Sequence, residues 1–128
     1  MIPKILSVDD SKAIRMVIKR VFRPFQCELH EAGNGEEGLV VASREKPALI
    51  ILDYNMPVMD GVEMLRQLRA DPELKRTPVI MLTADGSTEI ITTVARLGVR
   101  DYVTKPFEDA QLLDKASRVL SLERLPEE

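Results

Sequence analysis

Five side chains able to hold a divalent cation or a phosphoryl group follow short apolar runs of the chain. They are Asp9, Asp10, Asp53, Thr83 and Lys105. Carboxylates that share one site repel each other at neutral pH unless a cation or a proton compensates them. Such oxygen ligands suit Mg²⁺, and Mn²⁺ would fit nearly as well. The compact charge of a lysine could pair with a carboxylate or a phosphoryl oxygen.

Whether these groups meet depends on the elements that carry them. Apolar runs with little polar alternation predict strands buried on both faces, and they cover 5–8, 27–32, 48–52, 79–82 and 102–103. Segments with helical periodicity alternate with these runs. Five strand–helix pairs predict an α/β fold, in which helices cover both faces of a parallel sheet. Ligands bind such a sheet at the carboxyl ends of its strands, where the five side chains lie.

Composition narrows the classes of protein to consider. A chain of 128 residues with 45% hydrophobic residues suits one domain, and a net charge of −3 gives no reason to expect a nucleic-acid or membrane partner. The single cysteine, Cys27, cannot form an internal disulfide, and the N-terminus lacks the features of a signal peptide. We therefore expect a cytoplasmic protein.

A second motif suggests a different activity. Gly33, Gly35 and Gly38 spell G-x-G-x-x-G about twenty residues before Asp53, as in a dinucleotide-binding fingerprint. Glu36 and Glu37 would, however, lie where such a motif binds the pyrophosphate. A pyrophosphate binds N–H donors and positive charge, and two carboxylates would repel it. We interpret the glycines as a turn and a helix start.

Four motifs resemble the receiver domain of two-component response regulators. They are "VDD", "LDYNMPVMDG", "LTA" and "YVTKPF", each at the end of a predicted strand. The resemblance runs from about Lys4 to Leu122, so we assign residues 1–125 to a receiver domain and 126–128 to a tail. It is strongest with single-domain, chemotaxis-type (CheY-like) regulators. It implies a flavodoxin-like fold with strand order 2-1-3-4-5.

The resemblance also implies a metal-assisted reaction at one aspartate. Asp53 would accept a phosphoryl group, and Mg²⁺ would be held by Asp10, Asp53 and the backbone carbonyl of Asn55. Asp9 would act on the metal largely through water. The side chains of Asn55 and Asp85 stand where relatives vary and would tune the access of hydrolytic water.

The remaining site residues would bind the phosphoryl group and relay its presence. Lys105 and Thr83 would contact its oxygens, and backbone N–H groups of Asn55 and Ala84 would complete the cradle. In the family the threonine moves toward the phosphoryl group while an aromatic residue on the fifth strand, here Tyr102, turns inward.

The partners implied are proteins of a phosphorelay. A histidine kinase or a histidine phosphotransfer protein would supply the phosphoryl group, and a basic stripe of Arg15, Lys19 and Arg23 on the first helix is a candidate docking surface. A target protein would bind the face formed by helix 4, strand 5 and helix 5, near Arg96 and Arg100. A phosphatase is a further candidate partner.

Three other interpretations compete with the switch. The chain could be an aspartyl-phosphate phosphohydrolase, although no separate general acid stands out. It could be a constitutive binding module that ignores phosphorylation. It could also be a receiver taken from a longer DNA-binding or enzymatic regulator. We expect no enzymatic activity beyond Mg²⁺-dependent phosphoryl acceptance and autodephosphorylation.

Overall fold

The computed structural model describes residues 2–84 and 86–126, and strands and helices alternate along them. The strands are β1 (Lys4–Val8), β2 (Glu28–Ala32), β3 (Leu49–Asp53), β4 (Val79–Thr83) and β5 (Asp101–Thr104). The helices are α1 (Lys12–Phe22), α2 (Gly35–Glu45), α3 (Gly61–Ala70), α4 (Thr88–Arg96) and α5 (Asp109–Ser117). Every predicted strand is confirmed to within one residue at each end. Asp53 and Thr83 are the last residues of their strands rather than the first residues after them.

The five strands form one parallel sheet in the order β2-β1-β3-β4-β5, which confirms the predicted topology. The chain runs from β1 outward to β2 and then returns to the other side of β1 with β3. This reversal is the switch point at which open α/β sheets bind ligands. The register aligns the strand ends, because Asp53 pairs with Leu82 and Thr83 pairs with Thr104.

Two apolar layers fill the space between the sheet and its helices. The first layer joins strand residues such as Leu6 and Leu52 to α2, α3 and α4, for example through Leu65. The second joins residues such as Ile51 and Leu82 to α1 and α5. All five residues of β3 and of β4 are buried, because helices cover these central strands on both faces.

Side-chain caps start the helices close to the strand ends. The Ser11 hydroxyl accepts a hydrogen bond from the backbone N–H of Ile14 and begins α1 directly after the two aspartates. Asn34 and Asp60 cap α2 and α3 in the same way. Such a cap typically stabilises a helix by about 1 kcal/mol. Short connections therefore hold the residues at the strand ends in place.

The glycine motif serves the packing of α2. A Cβ at Gly35 would lie 2.7 Å from the backbone oxygen of Met59, and one at Gly38 would lie 2.9 Å from Met64. At Gly33 the nearest atom would be 3.7 Å away. Moreover, β2 is an edge strand, away from the switch point. The interpretation of a turn and a helix start, rather than a dinucleotide site, agrees with these contacts.

The chain after α5 returns to the α1–β2 connection. The Gln26 N–H donates to the Glu123 carbonyl at 2.7 Å, and the guanidinium of Arg124 stacks on Phe25 at 5.2 Å from the ring centroid. Of the tail predicted at 126–128, only Pro126 belongs to the described residues. Within the described part of the chain, no helix is long and apolar enough to cross a bilayer.

Candidate functional site

The three carboxylates predicted to converge do so at the carboxyl edge of the sheet. Asp9 and Asp10 follow β1, Asp53 ends the neighbouring strand β3, and one oxygen of each lies within 4.8 Å of the others. Asp9 and Asp53 are buried, with 1% and 4% of their surface exposed, whereas Asp10 faces solvent. Buried carboxylates this close require compensation by a nearby cation or by a proton.

Lys105, which follows the edge strand β5, supplies positive charge to the three carboxylates. Its Nζ donates hydrogen bonds to Asp53 Oδ1 at 2.9 Å and to Asp9 Oδ2 at 3.1 Å. The lysine follows β5 directly, and the Lys105–Pro106 peptide bond is cis. The predicted convergence of one lysine with the carboxylates is therefore present in the structure.

Burial, neighbouring charges and hydrogen bonds together shift the pKa values of Asp53 and Lys105. Burial raises the pKa of Asp53, the charges of Asp9 and Asp10 raise it further, and the hydrogen bond from Lys105 only partly offsets them. For Lys105, burial alone would lower the pKa, but the bonds and charges of Asp53 and Asp9 outweigh it and raise the pKa. The ammonium is thus charged at neutral pH, and the site retains excess negative charge that a divalent cation would neutralise.

Asp9 is held at its backbone and at both carboxylate oxygens. Its Oδ1 accepts a hydrogen bond from the Ser11 N–H at 2.9 Å, while Oδ2 accepts from Lys105. Its backbone N–H donates to the Ala32 carbonyl at 3.0 Å, and its carbonyl accepts from Arg15 Nη1 at 2.5 Å. This carboxylate therefore has a fixed position in the site.

A cleft of about 460 Å³ opens over these residues. Its walls include Asn55 and Ala84, both exposed, and Thr83, which is buried with 2% exposure. The Lys105 N–H donates to the Thr83 carbonyl at 2.8 Å, so β4 and the lysine are joined directly. Tyr102 lies half-buried on β5, where it pairs with Met81 of β4. Its side chain packs against the first apolar layer, which contains Leu6, Leu52 and Leu65.

Ile90 and Arg15 are among the residues near the site that were not predicted to act there. Ile90, from the first turn of α4, lines the cleft. Arg15 was assigned to an outward basic stripe, and this assignment is wrong, because only 19% of its side chain is exposed and its guanidinium binds Asp9 and Glu31. Helical periodicity marks which face of a helix is apolar, but it does not indicate a contact with a backbone carbonyl. Asp85, predicted to tune water access, lies outside the described residues.

Another group of potential metal ligands lies at the sheet edge, where Glu28, His30 and Glu45 approach one another. His30 Nε2 is 2.7 Å from Glu28 Oε2, and the Lys4 amine is 3.0 Å from Glu45 Oε1. The hydrogen bonds of Arg44 and Lys4 lower the pKa of Glu45 to about 2. Because local cations already compensate this cluster, it does not share the charge excess of the Asp53 site.

Comparison with known proteins agrees with this geometry. Residues 5–117 match the response regulator receiver domain. The chain belongs to the receiver domain family. This receiver domain is 37% identical over 117 residues to the chemotaxis protein CheY-3 of Vibrio cholerae, covering 91% of the chain and 90% of that protein.

Relatives of this receiver domain differ in their overall organisation. It is also 37% identical to the transcriptional regulatory protein SrrA of Staphylococcus aureus, covering 91% of the chain but only 47% of that protein. The crystal structure of CheY4 of Vibrio cholerae superposes with a TM-score of 0.88 at 35% identity, covering 94% of this chain and all of that one. Receiver domains are signalling switches rather than typical enzymes.

Proposed function

We propose that this receiver domain is a switch in which Asp53 accepts a phosphoryl group from a histidine kinase or a histidine phosphotransfer protein. The observation that carries the proposal is the position of Asp53. Its buried carboxylate lies beside two further aspartates, with the Lys105 amine 2.9 Å away and an open cleft above. Phosphoryl transfer requires mainly positioning and charge neutralisation. These residues would position the reacting groups, and Lys105 together with a bound cation would neutralise the charge.

The acidic group suits Mg²⁺, with Mn²⁺ as an alternative. Both oxygens of Asp9 already accept hydrogen bonds, which favours Asp10 and Asp53 as direct carboxylate ligands and Asp9 as a ligand through water. The backbone carbonyl of Asn55, beside the cleft, would complete the protein ligands. A bound ion would supply neutralisation of the charge on the carboxylates and on the incoming phosphoryl oxygens.

The transfer itself needs one nucleophile. A carboxylate oxygen of Asp53 forms a bond to phosphorus as the P–N bond of a phosphohistidine breaks, and the bonding electron pair leaves with the imidazole of the partner. Lys105 stays protonated and stabilises the phosphoryl oxygens, as its raised pKa favours. Backbone N–H groups of Asn55 and Ala84 are proposed as further donors. Later attack by water on phosphorus would release phosphate and reset the switch.

Thr83 and Tyr102 are proposed to relay the new charge. The phosphoryl group would offer the Thr83 hydroxyl a new acceptor inside the cleft, drawing the end of β4 toward Asp53. Tyr102, on the adjacent strand β5 and already half-buried, would then turn further inward. The consequence would be an altered surface at α4, β5 and α5 for a target protein. Thr83→Ala should keep phosphorylation but weaken binding of the target.

Docking of the phosphodonor is proposed on α1, close to the cleft. Lys12 and Lys19 are exposed on this helix and can meet an acidic partner surface, which would speed association. Charge reversal at Lys19 should slow transfer from a kinase but not from a small phosphodonor. Arg15 does not suit this test, because it contacts Asp9.

Binding of beryllofluoride, a mimic of the phosphoryl group, tests the proposal. We expect Mg²⁺-dependent changes in the amide NMR signals of Thr83, Ala84 and Lys105, and none in Asp53→Asn. A wild-type spectrum that does not respond to beryllofluoride and Mg²⁺ would refute phosphoryl acceptance and favour a constitutive binding module.

A further inference from the structure

Arg15 joins α1 to the loop that carries two of the aspartates. Its Nη1 donates to the Asp9 carbonyl at 2.5 Å, and its Nε donates to Glu31 Oε1 on β2 at 3.1 Å. Only 19% of the side chain is exposed. A guanidinium that forms two directed bonds in this way is oriented rather than free to move.

The bond to the Asp9 carbonyl bears on the direction of Asp10. A peptide group is planar, so an arginine that holds the carbonyl of Asp9 also restricts where the Cα of Asp10 lies. The Asp9 N–H is held on its other side by the Ala32 carbonyl at 3.0 Å. Because the Asp10 side chain is exposed, its aim toward the other carboxylates depends on this backbone.

Glu31 completes the support from the edge strand. Its Oε1 accepts from Arg15, and its Oε2 lies 3.3 Å from the Lys19 amine. Glu31 directly precedes Ala32, whose carbonyl binds Asp9. The edge strand β2 therefore contacts both the arginine and Asp9, the residue whose carbonyl the arginine binds.

We infer that Arg15 is a positioning residue that preorganises the Asp9–Asp10 loop for a divalent cation. The inference rests on the metal site proposed above. Arg15 is not among the proposed ligands of the ion, so its charge and its geometry should have opposite effects on the affinity for the cation. Removing a nearby positive charge should strengthen cation binding, whereas losing the loop geometry should weaken it.

Calorimetric titration of Mg²⁺ into the protein without phosphodonor separates these effects. Arg15→Met keeps most of the aliphatic stem but loses the charge and both hydrogen bonds. We expect its Kd for Mg²⁺ to rise about tenfold, the scale typical of residues that orient metal ligands. Arg23→Met, the control at the exposed C-terminal end of α1, removes a positive charge away from Glu31 and should leave the Kd unchanged. A Kd for Arg15→Met equal to or below that of wild type would overturn the inference.

Two further measurements separate positioning from a general loss of structure. Arg15→Lys keeps the charge but cannot form the same pair of bonds, so its Kd should also rise. In Arg15→Met the Mg²⁺ concentration for half-maximal phosphorylation by acetyl phosphate should rise, while the rate at saturating Mg²⁺ stays near wild type. Loss of the saturated rate alone would contradict positioning. If wild type itself binds no Mg²⁺, the proposed metal site fails together with the inference, whereas normal wild-type binding leaves the variants to decide the inference alone.

Discussion

The ammonium group of Lys105 lies 2.9 Å from Oδ1 of Asp53, although 52 positions separate the two residues in the chain. The parallel register brings them together, because β3, which ends at Asp53, pairs with β4, and β4 pairs with β5. The same amine lies 3.1 Å from Asp9. Lys105 therefore compensates the two buried carboxylates of the site.

Lys105→Met should change metal binding and phosphorylation in opposite directions. The variant removes a cation that competes for the carboxylates, so Mg²⁺ should bind more tightly. It also removes a donor to the transferred phosphoryl group, so the rate with acetyl phosphate at saturating Mg²⁺ should fall on the order of 10²-fold. Lys115→Met, whose amine instead lies 3.0 Å from Asp101, is the control and should change neither quantity. Weaker Mg²⁺ binding or an unchanged rate in Lys105→Met would contradict the assignment.

The ionisation of Asp53 should destabilise the metal-free protein. Burial and the neighbouring aspartates raise its pKa, so the folded state binds this proton more tightly than the unfolded chain does. Stability should therefore fall as pH rises from about 3.9, the ordinary aspartate pKa, through the raised value. Asp53→Asn removes this loss, so its free energy of unfolding should exceed that of wild type at neutral pH.

Urea denaturation in EDTA, at neutral pH and below about pH 4, measures this difference. The advantage of Asp53→Asn should shrink at the lower pH, where the wild-type carboxyl is protonated. Asp114→Asn removes an exposed carboxylate that pairs with Arg118 at 2.9 Å and should give no gain at neutral pH. Equal free energies of unfolding of Asp53→Asn and wild type at neutral pH would show that the ionised Asp53 carboxylate does not destabilise the fold.

The glycine motif should show unequal tolerance to alanine. Gly35→Ala would place a Cβ 2.7 Å from a backbone oxygen of Met59, so we expect it to lose about 1–3 kcal/mol despite the better helix propensity of alanine. Gly33→Ala, with its nearest neighbour at 3.7 Å, should stay within about 0.5 kcal/mol of wild type. Urea denaturation of both variants measures this order. The reverse order would contradict the packing role of α2.

Arg69, on α3, should contribute strongly to stability because it joins the connections that follow α3 and α4. Its guanidinium donates to the carbonyls of Leu97, Gly98, Lys75 and Thr77 at distances of 2.9–3.2 Å. Arg69→Met leaves these acceptors without the charged donor and should lower the free energy of unfolding by about 2–4 kcal/mol.

Arg66→Met provides the control for that loss, since Arg66 is exposed on the same helix. Its free energy of unfolding should stay within about 0.5 kcal/mol of wild type. Equal effects of the two substitutions in urea denaturation would show that the four carbonyl contacts contribute little.

The sequence predicts the fold and the convergence of the three aspartates with Lys105, because both depend on short-range patterns. Continuous apolar runs mark strands buried on both faces, and the aspartates and the lysine stand directly at their ends. Arg15 escaped prediction because its role depends on a backbone carbonyl six positions earlier, which no side-chain pattern records. Gly35 and Gly38 matched a nucleotide motif, but α3 and its preceding loop account for the lack of side chains there.

Intact-mass spectrometry after incubation with acetyl phosphate and Mg²⁺ tests the central claim most directly. Wild type should gain about 80 Da, the mass of one phosphoryl group, and the gain should disappear with EDTA and in Asp53→Asn. Asp114→Asn should still gain it. A wild-type mass that does not change, or a gain that persists in Asp53→Asn, would contradict Asp53 as the phosphoryl acceptor.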